Sequence, residues 1–283
     1  MIQSVQHISF QIIVLDNQSI DSTVEIVRSQ FPDVQLLRPE DNLGFARGVN
    51  EAARYANANY ILLLNPDTLI IGNAIDNAVD FANENPEYGV YGGRTLKSDL
   101  SLEPSSCWNL PSLWSCFTFA TGLSSLFKHT RAFDPESLSN WERDSVKEVG
   151  VITGCFLLIK QVSWKLLNGF DERYWMYGED ADFAIRARAQ GFRPVICPDA
   201  ELIHEVGGSS KNREAKVILM LKGKATLMLS HWGKYQGKLG VCLLLVGVLL
   251  RSVLSSNKLL SESQQLNRWQ FAWENRKEWV VGY

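Results

Sequence analysis

The 283-residue chain reads as an α/β protein: a mostly parallel sheet flanked by helices, followed by a helical tail. Three observations predict this. Short apolar runs alternate with helix-length segments from Gln11 to Cys197, the pattern of a doubly wound sheet with right-handed connections. One of those runs, Tyr60-Ile61-Leu62-Leu63-Leu64, is closed by Asn65-Pro66-Asp67, as suits a strand buried on both faces. The composition, 46% hydrophobic and 21% charged, is that of a globular chain able to form one large domain with an appendage. Residues 1–215 are assigned to the α/β domain and 216–283 to the tail.

The elements follow in order. Ile2, Val5 and Ile8 share one helical face, so the first residues read as a helix end. Gln11 to Leu15 is a β-rich run, followed by a polar loop and a helix from about Asp21 to Gln30, capped by Ser19 or Asp21. Phe31-Pro32-Asp33 stops it, and Val34 to Leu37 forms the next strand. Asn42-Leu43-Gly44-Phe45-Ala46-Arg47-Gly48 opens a helix to about Asn57. The strand Tyr60–Leu64 must end at Asn65, because Pro66 cannot donate to a ladder and biases its predecessor away from helix. A helix over 75–85 and a strand over 88–92 come next.

From Lys97 to Lys147 the periodicity fades, and Trp108, Trp114, Phe117, Phe119, Phe127, Phe133 and Trp141 accumulate. Such a stretch is a functional loop or lid, or its rings pack it onto the sheet. Val149 to Lys160 contains an apolar strand opened at Thr153-Gly154-Cys155. A short helix over 162–167, a turn at Gly169-Phe170-Asp171, a helix from Glu179 to about Gln190, and strands at 193–197 and 200–203 complete the domain.

In the tail, Leu239 to Leu250 is almost wholly apolar between Lys222, Lys224, Lys234, Lys238 and Arg251. No run reaches the roughly 20 apolar residues of a spanning helix. The segment is either a buried helix or one lying in a membrane interface with basic flanks. Trp269, Phe271, Trp273 and Trp279 near the end admit the same two readings.

Charge and cysteine usage narrow the class. A net charge of −3 gives no affinity for nucleic acid. Five scattered cysteines without a CxxC pair match neither a zinc site nor a disulfide framework, which points to a reducing cytosol. No basic segment followed by an apolar core marks a signal peptide.

Candidate chemistry lies at strand ends. Asp67 falls just beyond the carboxyl end of a central strand, where ligands bind in open α/β sheets. A carboxylate there holds a divalent cation and, through it, a diphosphate, or it only caps the next turn. Gly44 either lets backbone approach an anion at a helix N-terminus or hinges a tight turn. Glu179, Asp180 and Asp182 crowd one helical turn. Acids stabilise helix N-termini, but crowding raises proton affinity unless a cation or substrate group compensates. Asp182 and Arg186 can pair on one face. His204 is structural or a ligand, and Gly207-Gly208-Ser209-Ser210 after it form a loop able to fold over an anion.

Taken in order, seven segments resemble family 2 glycosyltransferases of the GT-A fold, with a Rossmann-like sheet, and most of all their bacterial rhamnosyltransferase-like members. They are Ile13 to Asp21, Asn42 to Asn50, Leu63 to Asp67, Thr153 to Ile159, Gly169 to Glu172, Gly178 to Phe183 with Arg186, and His204 with Gly207 to Ser209. The resemblance implies an inverting, metal-dependent transfer of a sugar, rhamnose in that subgroup, from a nucleotide-diphosphate sugar to a saccharide or lipid-linked acceptor. The setting it implies is cell-surface polysaccharide synthesis in the cytoplasm, peripheral to the inner face of the membrane.

By the same resemblance Asp16 and Asn17, with Asn42, Gly44 and Asn65, contact the nucleotide. Asp67 binds Mg²⁺ or Mn²⁺ and His204 completes that site. Asp180 is the catalytic base, Glu179 orients it, and Thr153, Gly154 and Asp182 face the sugars.

One departure stands out. The family opens with a central strand and a helix ahead of Ile12, and this chain starts where that helix would end. The expectation is a truncated chain with weak or absent nucleotide binding, and the alternative function is a non-catalytic pseudo-glycosyltransferase acting as a binding module. A nucleotidyltransferase would need an N-terminal Gly-rich loop with a basic residue, which is absent.

Overall fold

The computed structural model describes residues 5–138, 140–204, 213–256 and 267–283. Ile2 and the Gly207–Ser210 loop lie outside them. The chain divides into two compact units, one of Met1–Ser106 with Arg143–His204, the other of Cys107–Glu142 with Glu205–Tyr283. This division differs from a boundary at 215 chiefly in residues 107–142, which cluster with the C-terminal helices.

The first unit alternates strand and helix: β1 (Ile13–Leu15), α1 (Thr23–Gln30), β2 (Gln35–Leu37), α2 (Gly44–Ala53), β3 (Tyr60–Leu64), β4 (Thr68–Ile70), α3 (Ala74–Glu84) and β5 (Val90–Leu96). The aromatic segment of the second unit carries β6 (Cys107–Trp108), α4 (Leu113–Thr121) and α5 (Leu123–Leu126). The chain then returns to the first unit with β7 (Lys147–Glu148), β8 (Val151–Ile152), β9 (Phe156–Lys160), α6 (Gln161–Leu166), α7 (Glu179–Ala189) and β10 (Val195–His204).

The main sheet runs β3-β9-β5-β10-β4, with β7 also on β10. Its directions are mixed. β5 and β10 are parallel, as are β1 and β2, whereas β9 is antiparallel to both β3 and β5 and β10 is antiparallel to β4. The expectation of a mostly parallel sheet is corrected here. A long excursion between β5 and β9 frees the chain to re-enter antiparallel, a constraint that no local pattern carries. β1 and β2 form a sheet of their own. Among the described residues, no strand pairs with the outer edge of β3 or of β1.

The central strands are buried because their runs are apolar throughout: Phe156, Leu157, Leu158 and Ile159 are all almost fully enclosed. Phe156 and Leu158, with Tyr91, Val195, Ala200 and Leu202, meet the Ala74, Ala78 and Ala82 face of α3. Small residues let that helix come close to the sheet. Val5 and Ile8 pack on the same core, but residues 5–12 are not helical. The Gln6 amide donates to Asp76 Oδ2 at 2.8 Å instead of to a helical carbonyl, and His7 reaches Asp80 at 3.1 Å.

The second unit continues with α8 (Arg213–His231), α9 (Lys234–Ser256), α10 (Asn267–Glu274) and α11 (Arg276–Trp279). Its core joins Cys116 of α4 to Ile218, Met228, Leu244, Val248 and Trp279. α4 is a second correction, since this stretch lacks helical periodicity. Its ends hold it: Ser112 and Ser115 form a reciprocal capping box, and Gly122 closes the helix at φ 80°, as left-handed glycine caps do. The rings of Trp114, Phe117, Phe127 and Phe133 pack on one another, with centroids 5.0–6.2 Å apart. Residues Lys234–Leu254 of α9 are long and apolar enough to cross a membrane by length and composition alone. This corrects the reading that no such segment exists, although 39% of that window is buried inside the protein.

Candidate functional site

The site is wired through backbone. β3 ends at Leu64, and the Asn65 amide donates to the Cys155 carbonyl at 3.2 Å. Thr68 Oγ1 donates to the Asn65 carbonyl at 2.6 Å, closing the turn that presents Asp67. On the facing turn the Gly154 amide donates to Asp180 Oδ1 at 3.1 Å. The 65–67 and 153–155 turns therefore set Asp67 and Asp180 around Cys155. The Cys155 thiol is pushed up to about 12, first by burial, with the Asp180 and Asp67 carboxylates adding to the rise. Its 2.8 Å contact with Thr153 Oγ1 holds the turn. That makes Cys155 a packing residue and not a nucleophile.

Asp67 Oδ1 lies 3.4 Å from His204 Nε2, is buried, and has no hydrogen-bond partner. β10 delivers the histidine, whose backbone pairs in register with Thr68 on β4. Ser105 Oγ is 3.3 Å from its Nδ1. With Nδ1 donating to Ser105, Nε2 keeps a lone pair for a cation. Among the described residues, no three His, Cys, Asp or Glu side chains converge on a common point. Two protein ligands suit a Mg²⁺-like ion that takes its remaining oxygens from a substrate diphosphate and water, and the orphaned buried oxygen of Asp67 fits that ion.

Asp180 and Glu179 open α7 after Gly178, at φ 102°. Asp180 is held up to about 7 by lost hydration, partly offset by the Gly154 amide. Glu179 is 4% exposed, and burial together with the neighbouring Asp180 charge raises it well above the usual carboxylate range. Its Oε2 has no partner. A carboxyl that gains a proton easily near neutrality is the group needed to take one from a hydroxyl. Asp182 differs. It is 1% exposed and meets Arg186 Nε at 2.7 Å, while Arg186 also donates to the Leu167 and Gly169 carbonyls. The structure places Asp182 in a clamp that fixes α7 to the Gly169 turn.

On the other side Asp16 is buried at the end of β1, accepting from the Ser19 amide at 3.2 Å and lying 3.2 Å from Arg38 Nε. Beside this loop is a polar cleft of about 490 Å³ whose lining includes Gln18, Asp21, Arg28 and Arg38. Asn17 has both amide atoms engaged: Oδ1 accepts from Leu43 N at 2.7 Å and Nδ2 donates to the Gly44 carbonyl at 3.0 Å. Asn42 Oδ1 accepts from Gly44 N at 2.9 Å. These bonds lock the entry to α2.

Gly44 has φ +72°, and a Cβ there would sit 2.6 Å from the Trp175 carbonyl, which accepts from Phe45 N at 2.8 Å. A Cβ on Gly154 would come within 2.8 Å of the Phe45 ring. Phe45 thus bridges the α2 entry and the Asp180 turn. Ser105, Phe45, Arg38 and Cys155 escape a reading of the sequence. Each matters through a contact distant in the chain.

The family model "Glycosyl transferase family 2" matches residues 1–166, and "N-terminal domain of galactosyltransferase" matches residues 143–206. The N-acetylglucosaminyl-diphospho-decaprenol L-rhamnosyltransferase of Mycobacterium tuberculosis (strain ATCC 25618 / H37Rv) is 31% identical over 213 residues, 70% of this chain and 67% of that protein. Among solved structures, the mannosyltransferase PcManGT from Pyrobaculum calidifontis, in complex with GDP-Man and Mn²⁺, superimposes with a TM-score of 0.54 at 15% identity, over 96% of this chain and 76% of that one. GalNAc-T7 with UDP, GalNAc and Mn²⁺ gives a TM-score of 0.54 at 12% identity, over 94% of this chain and 48% of that one.

Proposed function

The chain belongs to glycosyl transferase family 2 and has the GT-A fold; from that premise we propose that it is an inverting, cation-dependent transferase. It moves rhamnose from a nucleotide-diphosphate sugar to a lipid-linked saccharide during cell-surface polysaccharide synthesis, at the inner face of the membrane. The sugar and acceptor follow the mycobacterial relative's name. The observation that carries the reading is the pairing of Asp67 and His204 with Asp180 around the Gly154–Cys155 turn.

Asp67 and His204 would hold Mg²⁺ or Mn²⁺, which when bound offsets the charge that develops on the diphosphate leaving group. The α2 entry, built by Asn17, Asn42 and Gly44, and the Asp16–Arg38 pair shape the nucleotide side. Asn65 holds the metal turn against Cys155. Asp180, oriented by the Gly154 amide, accepts the proton of the acceptor hydroxyl as its oxygen attacks the anomeric carbon opposite the diphosphate. Burial and the Asp180 charge raise Glu179 well above the usual carboxylate range, and Asp180 is the carboxyl anchored on the Gly154 amide. One displacement inverts the anomeric centre without a covalent sugar–enzyme intermediate. Thr153 and Gly154 floor the sugar side. Asp182 acts through Arg186 by holding α7 in place.

The test is a screen of nucleotide sugars, dTDP-rhamnose and UDP-sugars first, for release of nucleoside diphosphate. The reading expects at least one donor to turn over with Mg²⁺ or Mn²⁺ and to stop with EDTA. Turnover of no donor with any divalent cation would overturn it. Against a non-catalytic binding chain stand Asp67, His204 and Asp180, whose contacts lie within one unit.

A further inference from the structure

The second unit carries an apolar surface that its own core does not need. Helix α9 packs Val241, Leu244 and Val248 inward, against α4, α8 and α10. On a helix exposed to water the opposite face is polar. Here Leu239, Cys242, Val246, Leu249, Leu250 and Val253 form that face, with Leu239, Val246 and Val253 exposed by 50%, 48% and 56%. The one charged residue between Leu239 and Leu254 is Arg251. Its guanidinium lies 3.9 Å from the Phe119 ring centroid and donates to the Phe119 and Gly247 carbonyls. The stripe, from Leu239 to Val253, is about 21 Å long at 1.5 Å per residue.

An apolar groove of about 320 Å³ adjoins it, sharing Cys242, Val246 and Leu249 and closed by Trp273 and Val280, with Arg276 and Lys277 at its rim. The surroundings are basic: residues 213–256 hold seven Lys and Arg against one acid, Glu214. Lys234 and Lys238 are exposed where the stripe begins, with Tyr235 between them at 84% exposure.

We propose that this face of α9 seats in the headgroup layer of an anionic phospholipid bilayer, lying in its plane, with the groove taking one lipid chain below a phosphate held by Arg276 and Lys277. An apolar face rimmed by lysines and aromatic rings suits that layer. Insertion is along the surface and not across it, because the charged helices α8 and α10 pack on the inward side of α9. The inference deepens the proposed function and rests on it for the lipid-linked acceptor.

The experiment mixes the full chain with vesicles of phosphatidylcholine alone or with added phosphatidylglycerol, and measures co-sedimentation. The same preparations are assayed for hydrolysis of soluble donor. Wild type is expected to bind the anionic vesicles about tenfold better than the neutral ones. Val246→Glu with Val253→Glu, and separately Lys234→Glu with Lys238→Glu, are each expected to lose about tenfold in vesicle binding. Their melting curves and donor hydrolysis stay unchanged, because all four positions are exposed. Wild type that ignores anionic vesicles, or a Val246→Glu, Val253→Glu chain that binds them as wild type does, overturns the proposal. So does a stable lipid-free dimer that those two substitutions split and that binds no vesicle. Vesicle binding without turnover of any donor upholds the surface and counts against the transferase reading alone.

Discussion

The proposed role of Asp180 as base makes the transfer rate depend on pH where an ordinary carboxylate would not. The usual aspartate value is near 3.8, and lost hydration holds Asp180 at about 7. The base works only when ionised. Its ionised fraction is about 9% at pH 6 and about 91% at pH 8 for a group at 7, a rise of about tenfold. For a group at 3.8 the change over the same interval is under about 1%. The assay is kcat/KM for transfer between pH 5.5 and 9 at saturating cation, with donor affinity followed in parallel so that changes in binding are separated from chemistry. The inflection belongs to the Asp180–Glu179 pair jointly. A rate flat from pH 6 to 8 would refute the reasoning.

Other outcomes follow from the same contacts. Because the folded-state value of Asp180 is raised, its ionisation costs stability as pH climbs from about 4 to about 7, and nothing below the unfolded value. Asp180→Asn is therefore expected to melt higher than wild type at pH 8 and equally at pH 3.5, read by circular dichroism. Gly44→Ala drives a Cβ into the Trp175 carbonyl at a positive φ, so it is expected to lose about 1–3 kcal/mol in chemical denaturation. Arg186→Leu removes the guanidinium that meets the buried Asp182 carboxylate at 2.7 Å and is expected to cost about 3–5 kcal/mol. Its loss of activity should track unfolding and disappear at low temperature. Asp67→Asn is expected to abolish the enhancement of nucleoside-diphosphate binding by Mn²⁺ in calorimetry while leaving cation-free binding unchanged.

Much of the site is legible in the sequence because its residues sit where strands stop. Pro66 ends β3, so Asp67 can be placed at a sheet edge by turn chemistry, whereas Asp180 is marked by the family resemblance and meets Gly154 only across 26 positions. The crowding of Glu179 and Asp180 is visible as spacing. What escapes is whatever depends on distant contacts. β9 runs antiparallel to β3 and β5, and local patterns carry no strand direction. Ser105 meets His204 across 99 positions, and Phe45 meets Gly154 only once α2 is docked. The role of Asp182 was half visible, since the spacing to Arg186 showed the pair but not that it closes on the Leu167 and Gly169 carbonyls. Helix α4 was hidden because Ser, Thr and aromatic residues favour helix weakly, whereas its two caps at Ser112 and Gly122 are strong.

The division of labour between Asp67 and Asp180 is tested most directly by measuring, on one preparation of Asp180→Asn, both calorimetric affinity for the nucleoside diphosphate with Mn²⁺ and the rate of sugar transfer. The account predicts affinity within about twofold of wild type and a transfer rate lower by about 10²–10⁴-fold. Transfer at the wild-type rate, or loss of donor affinity with Asp67 and His204 intact, would contradict it.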